Sequence, residues 1–179
     1  MYLDRETYTR IDNSIIELLE DYNVDEYPID LIKLTKKMNI KTIPYSKASS
    51  YGIKNPNTIS DDAFADMEHA TIFYNDNIMS ERQRFSIAHE IGHIWLEHKS
   101  SSKETEAEAD HFAAYLLAPT PIILELGLDN PKDISNHFSI SYSAATNALN
   151  RTRSRKKCKV DQESFECRIV SFCTYKGGD

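Results

Sequence analysis

Arg84-Phe85-Ser86-Ile87-Ala88-His89-Glu90-Ile91-Gly92-His93-Ile94-Trp95-Leu96-Glu97-His98 contains the pattern His-Glu-x-x-His inside a run with helical periodicity. Residues four apart on a helix lie one turn above each other, so His89 and His93 project from one face and offer two imidazole nitrogens to a single zinc ion. Glu90 is rotated by roughly 100° from His89 and roughly 60° from His93. That sets its carboxylate beside the metal, where it can take a proton from water without being a ligand. Upstream, Ser80-Glu81-Arg82-Gln83 reads as a capping box, and Phe85, Ala88, Ile91 and Trp95 continue an apolar stripe. A helix over about 80–98 is expected.

Two histidines do not complete a catalytic zinc site, which needs three protein ligands and one open position. Lys99 stands where an extended motif would place a third histidine, and Leu96 where it would place glycine. Continued helical rotation carries His98 to the side opposite His89. The missing ligand is therefore sought on the next helix, expected from Glu104 to Ala118 and closed by Pro119 and Pro121. Its buried stripe reads as Ala109, Phe112, Ala113 and Leu116. Glu104, Glu106, Glu108, Asp110 and His111 are all candidates, and periodicity alone does not choose among them.

The two motifs together, Arg84-Phe85-x-x-Ala88-His89-Glu90-x-Gly92-His93 and Glu106-Ala107-Glu108-Ala109-Asp110-x-Phe112-Ala113-Ala114-x-Leu116-Leu117-x-Pro119, resemble the ImmA/IrrE family of zinc metallopeptidases. The resemblance is sharp over 70–120 and looser over 8–45 and 131–150. It implies Zn²⁺ as cofactor, Glu108 as the third ligand beside His89 and His93, and Glu90 as the catalytic base. It also implies a regulatory protease of a bacterium, phage or mobile element, whose protein substrate is a helix-turn-helix transcriptional repressor.

The rest of the chain supplies a frame. At 179 residues, with 40% hydrophobic and 27% charged side chains, the composition is that of a globular protein with a real core. The charged start Met1-Tyr2-Leu3-Asp4-Arg5-Glu6 and the lack of a long apolar run give a cytoplasmic expectation with no membrane partner. Three cysteines, Cys158, Cys167 and Cys173, are an odd set without a secretion signal and argue against a disulfide framework.

Helices are expected over 4–21 and from near Pro28 to Asn39, then a short strand at Ile40 to Ile43, a loop over 46–62, and a strand at Ala70 to Tyr74. The expected fold class is α+β and zincin-like, mostly helical, with a small twisted sheet packed on the His-Glu-x-x-His helix. Thr71, Ile72, Phe73 and Tyr74 are candidates to pair with an extended substrate. Residues 1–155 read as one domain, and 156–179 as a strand-like extension.

A rival reading comes from 131–150, where two short helices meet at a Ser139-Ile140-Ser141 turn and the basic run Arg151 to Lys159 follows, as in a DNA-binding regulator. A net charge of −7 counts against it, and nucleic acid is not an expected partner. An interaction protein that keeps the zinc fold without cleaving is a further alternative. Tyr115, His111, His137 and Tyr142 are chemically able to stabilise an oxyanion, and the sequence assigns none of them.

Overall fold

In the computed structural model, residues 3–156 and Val170 are described. The three cysteines, Lys157, Lys159 and all but Lys156 and Val170 of the extension expected over 156–179 lie outside them. Ten elements form the frame: α1 (Arg5–Asp21), α2 (Leu31–Lys37), β1 (Lys41–Pro44), β2 (Ala63–Asp66), β3 (Thr71–Tyr74), α3 (Ser80–Trp95), α4 (Lys103–Leu117), α5 (Thr120–Glu125), α6 (Pro131–Phe138) and α7 (Tyr142–Lys156). The fold is α+β and zincin-like, as expected.

Local chemistry sets most of the boundaries. Asp4 caps α1 by accepting from the Thr7 amide at 2.7 Å, and Asp30 caps α2 from Lys33, so Pro28 lies ahead of that helix instead of in its first turn. Ser102 and Thr105 close a reciprocal capping box on α4. The box expected at Ser80 is absent. Met79 is the cap residue of α3, Ser80 turns to Glu81, and Gln83 reaches back to the Ile78 carbonyl at 2.8 Å.

Side chains from all seven helices and from β3 make one core. Ile11, Ile15, Leu18 and Leu19 of α1 are buried against α4, each burial contributing roughly 1.5–3 kcal/mol. His111 of α4 is a brace here, its Nε2 lying 2.7 Å from Asp12 of α1 with the Tyr8 ring against it. Trp95 of α3 donates its indole N–H to the Ser14 carbonyl at 2.9 Å.

The α3 and α4 helices cross closely because Gly92 has no side chain. A Cβ there would lie 3.0 Å from Phe112 Cδ1 and 3.2 Å from Phe112 Cβ, and Phe112 is fully buried. Gly92→Val should therefore cost about 2 kcal/mol through overpacking, despite a small gain in helix propensity. Urea unfolding measures it, and an unchanged midpoint would contradict the close approach.

The sheet has the order β1-β3-β2, with β1 parallel and β2 antiparallel to β3. This corrects the substrate-pairing expectation for Thr71, Ile72, Phe73 and Tyr74. That strand is central, its backbone already paired on both sides, and Thr71, Ile72 and Phe73 are buried. The edge strands are β1 and β2, and β2 has no counterpart among the expected elements. Ala63-Phe64-Ala65-Asp66 is short and has no β-branched residue to announce it.

At the other end, α6 and α7 bury Ile134, Phe138, Ala145, Ala148 and Leu149. Arg151 is directed inward. Its guanidinium donates to the Ala118 carbonyl at 2.7 Å and to Thr120 Oγ1 at 3.1 Å, and lies over the Tyr115 ring. The first cation of the basic run is thus committed to holding α7 on α4 and α5, and the helical pair is part of the core.

Candidate metal centre

The floor of the site is one face of α3. Its helical register brings His89 Nε2 and His93 Nε2 to 3.0 Å of each other, both at a cleft of about 610 Å³ bounded by α3, α4, β2 and the 98–101 turn. Glu106 enters from the first turns of α4. Its Oε2 lies 3.3 Å from His89 Nε2 and its Oε1 lies 3.6 Å from His93 Nε2. The three side chains each offer one ligand atom, and these atoms lie within 4.8 Å of one another.

These donors fit zinc. Four-coordinate zinc with bonds of about 2.0–2.1 Å has ligand atoms roughly 3.3 Å apart at the edges of its tetrahedron, close to the spacings found. Two neutral nitrogens and one carboxylate, with a solvent-facing side left over, form a donor set suited to a catalytic ion. The chemistry and the spacing agree.

Glu108, the ligand implied by the family resemblance, is directed elsewhere. Its Oε1 accepts from Arg10 of α1 at 2.6 Å, and its Oε2 lies 3.0 Å from His98 Nε2. The physical reason is helical rotation: Glu108 is two positions beyond Glu106, roughly 200° around α4. Glu106 and Asp110, four apart, share one face instead, and Asp110 Oδ1 sits 3.0 Å from His89 Nδ1. Spacing alone does not separate the two glutamates, because Glu104 and Glu108 are four apart just as Glu106 and Asp110 are.

His98 also departs from its helical-wheel position. The helix ends at Trp95, Glu97 takes a left-handed conformation (φ 56°), and the His98 amide bonds back to the His93 carbonyl at 3.0 Å. The reversal swings the His98 ring against His93, their Nδ1 atoms 2.9 Å apart.

Glu90 lies beside the donors without joining them. Burial, with the Glu106 charge in support, pushes its carboxyl above the usual 4.5, although His89 and the Ala65 amide of β2 pull the other way. For Glu106, partial burial is outweighed by the Ser101 hydroxyl at 2.8 Å and the two imidazoles, so its carboxyl lies below the usual range. Burial and the neighbouring His89 hold His93 below 6.5. In His89 burial is overcome by Asp110, Glu90 and Glu106, which raise it above 6.5.

This difference has a measurable sign. Metal binding needs neutral imidazoles, so His89 is the one that must release a proton. Zinc affinity should begin to fall by about tenfold per pH unit at a pH above 6.5, in the range of His89 and not of His93. Competition titrations between about pH 8 and 5.5 read the onset; an onset well below 6.5 would contradict it. For the metal-free fold, the proton on His89 contributes stability fully below its unfolded value of about 6.5, and the contribution is lost as pH rises through the higher folded value.

None of the four oxyanion candidates lines this cleft. His111 braces α1, Tyr115 is buried under Arg151, and His137 packs on Phe138. Tyr142 lines a second cavity of about 660 Å³ with Met79, Leu117 and Ile140, which meets the cleft at Phe85 and Asp110.

The protein-family model Peptidase M78, described as an IrrE N-terminal-like domain, matches residues 35–150. The chain belongs to the Peptidase M78 family. The match spans β1 to α7 and so includes every side chain at the cleft, leaving α1 with Arg10 and Asp12 outside it. Membership supports a metallopeptidase-type function acting on protein, the class expected from the paired motifs. No curated protein matches the chain. Among the described residues, no helix of this M78 protein is long and apolar enough to cross a membrane.

Proposed function

We propose that this M78 protein is a zinc-dependent endopeptidase that cleaves a helix-turn-helix transcriptional repressor in the cytoplasm of a bacterium, serving a phage or mobile element. The observation that carries the reading is the convergence of His89 Nε2, His93 Nε2 and the Glu106 carboxylate on one open cleft, with buried Glu90 alongside. Glu106 is proposed as the third ligand in place of Glu108. The repressor and its setting come from the ImmA/IrrE resemblance.

When bound, zinc supplies Lewis-acid polarisation of the scissile carbonyl and acidifies water toward neutrality. The protein's own groups do the rest. Glu90 takes the proton of the attacking water and delivers it to the leaving amine, a task suited to a carboxylate whose proton affinity is raised by burial. Asp110 holds His89 through Nδ1, leaving Nε2 for the metal. The outer edge of β2, with Ala63, Phe64 and Ala65 at the cleft, takes the substrate backbone as an added strand. The adjoining apolar cavity accepts a side chain of that strand.

The test is incubation of the zinc-loaded protein with the helix-turn-helix repressor encoded nearest its gene, followed by intact-mass analysis. Discrete fragments, absent with Glu90→Gln, are the expected result. An uncut repressor held in a tight complex would replace cleavage with docking.

A further inference from the structure

His93 is not oriented as His89 is: among the described residues no carboxylate reaches its Nδ1, and His98 stands there instead. Behind His98 stands Glu108, and behind Glu108 stands Arg10. The series runs from Arg10 to Glu108 Oε1 at 2.6 Å, from Glu108 Oε2 to His98 Nε2 at 3.0 Å, and from His98 Nδ1 to His93 Nδ1 at 2.9 Å. His98, Glu108 and His93 are 7%, 13% and 14% exposed, so water competes little for these bonds.

The series has one consistent direction. Arginine only donates and a carboxylate only accepts, so the contact at 3.0 Å requires the proton on His98 Nε2. A His98 ring that carries only this proton offers an Nδ1 lone pair, which accepts from His93 Nδ1–H. His93 Nε2 is left with its lone pair facing the cleft. Reversal would put a proton on His93 Nε2, where the metal must bind, and set a ring lone pair against the Glu108 carboxylate.

We infer that Arg10, Glu108 and His98 are positioning residues that fix the metal-binding tautomer of His93 by a hydrogen-bond relay from α1 and α4. The inference rests on the zinc reading above and deepens it. Asp110 serves His89 directly, whereas Glu108 serves His93 through an intervening ring. The glutamate that resembles a ligand by sequence acts two bonds behind one.

The test uses the full chain, with His98→Phe, which keeps the ring but removes both nitrogens, and His98→Asn, whose side-chain oxygen can still accept near the Nδ1 position. The readouts are zinc affinity by chelator competition and the His93 tautomer by ¹⁵N NMR of the metal-free protein, with thermal unfolding to check the fold. His98→Phe should weaken zinc by about 10- to 100-fold and lose the Nδ1–H form of His93, and His98→Asn should restore both. Wild-type affinity and an unchanged tautomer in His98→Phe would overturn the relay while leaving the zinc site standing. A wild type that binds no zinc would sink the metal reading; the relay would then stand or fall on whether the His93 tautomer differs between wild type and His98→Phe.

Discussion

Glu90→Gln is expected to bind zinc as the wild type does and to cleave substrate about 10²- to 10⁴-fold more slowly, the usual range for loss of a positioned general base. The substitution keeps the size and shape of the side chain, and Glu90 is not among the three groups whose donor atoms converge. What disappears is the basic carboxylate, placed by helix rotation next to His89 and buried against β2. Equal zinc content with lost turnover separates proton transfer from metal binding. Retained turnover would move the base to another residue, and lost zinc would make Glu90 a ligand or a structural support.

Glu106→Ala has the largest expected effect on the metal itself. Removing one of three protein ligands should weaken zinc by more than the 10- to 100-fold typical of groups behind a ligand, which is more than about 2.7 kcal/mol. Glu106 is 45% exposed and caps no helix, so the fold should survive with an unchanged melting temperature before zinc is added. Glu108→Gln supplies the contrast, with a loss confined to the smaller range. If the order were reversed, Glu108 would be the ligand and the direction of its side chain toward Arg10 and His98 would be that of the metal-free state alone.

Much of this arrangement was readable from residue spacing. Four-residue separation put His89 and His93 on one face, the adjacent position gave Glu90, and the apolar stripe of 109, 112, 113 and 116 gave the buried side of α4. What spacing did not give lies at a helix end, at a sheet edge and on one flank of α4. His98 was placed by extending a helix that stops at Trp95, and a left-handed Glu97 reverses its direction. The pairing role fell on Thr71 to Tyr74 because β-branched and aromatic residues mark strands well and say nothing of position in a sheet. The strand that reaches the cleft is the poorly marked Ala63 to Asp66. Choosing between Glu106 and Glu108 required knowing which flank of α4 faces α3. Spacing does not carry that, since Glu104 and Glu108 are paired one turn apart in the same way as Glu106 and Asp110.

The most direct test is a crystal structure of the zinc-loaded protein with anomalous data at the zinc edge. One peak per chain is expected, coordinated by His89 Nε2, His93 Nε2 and the Glu106 carboxylate, with Glu108 still bridging Arg10 and His98. A peak held by Glu108 or His98, or no ordered peak at saturating zinc, would contradict it.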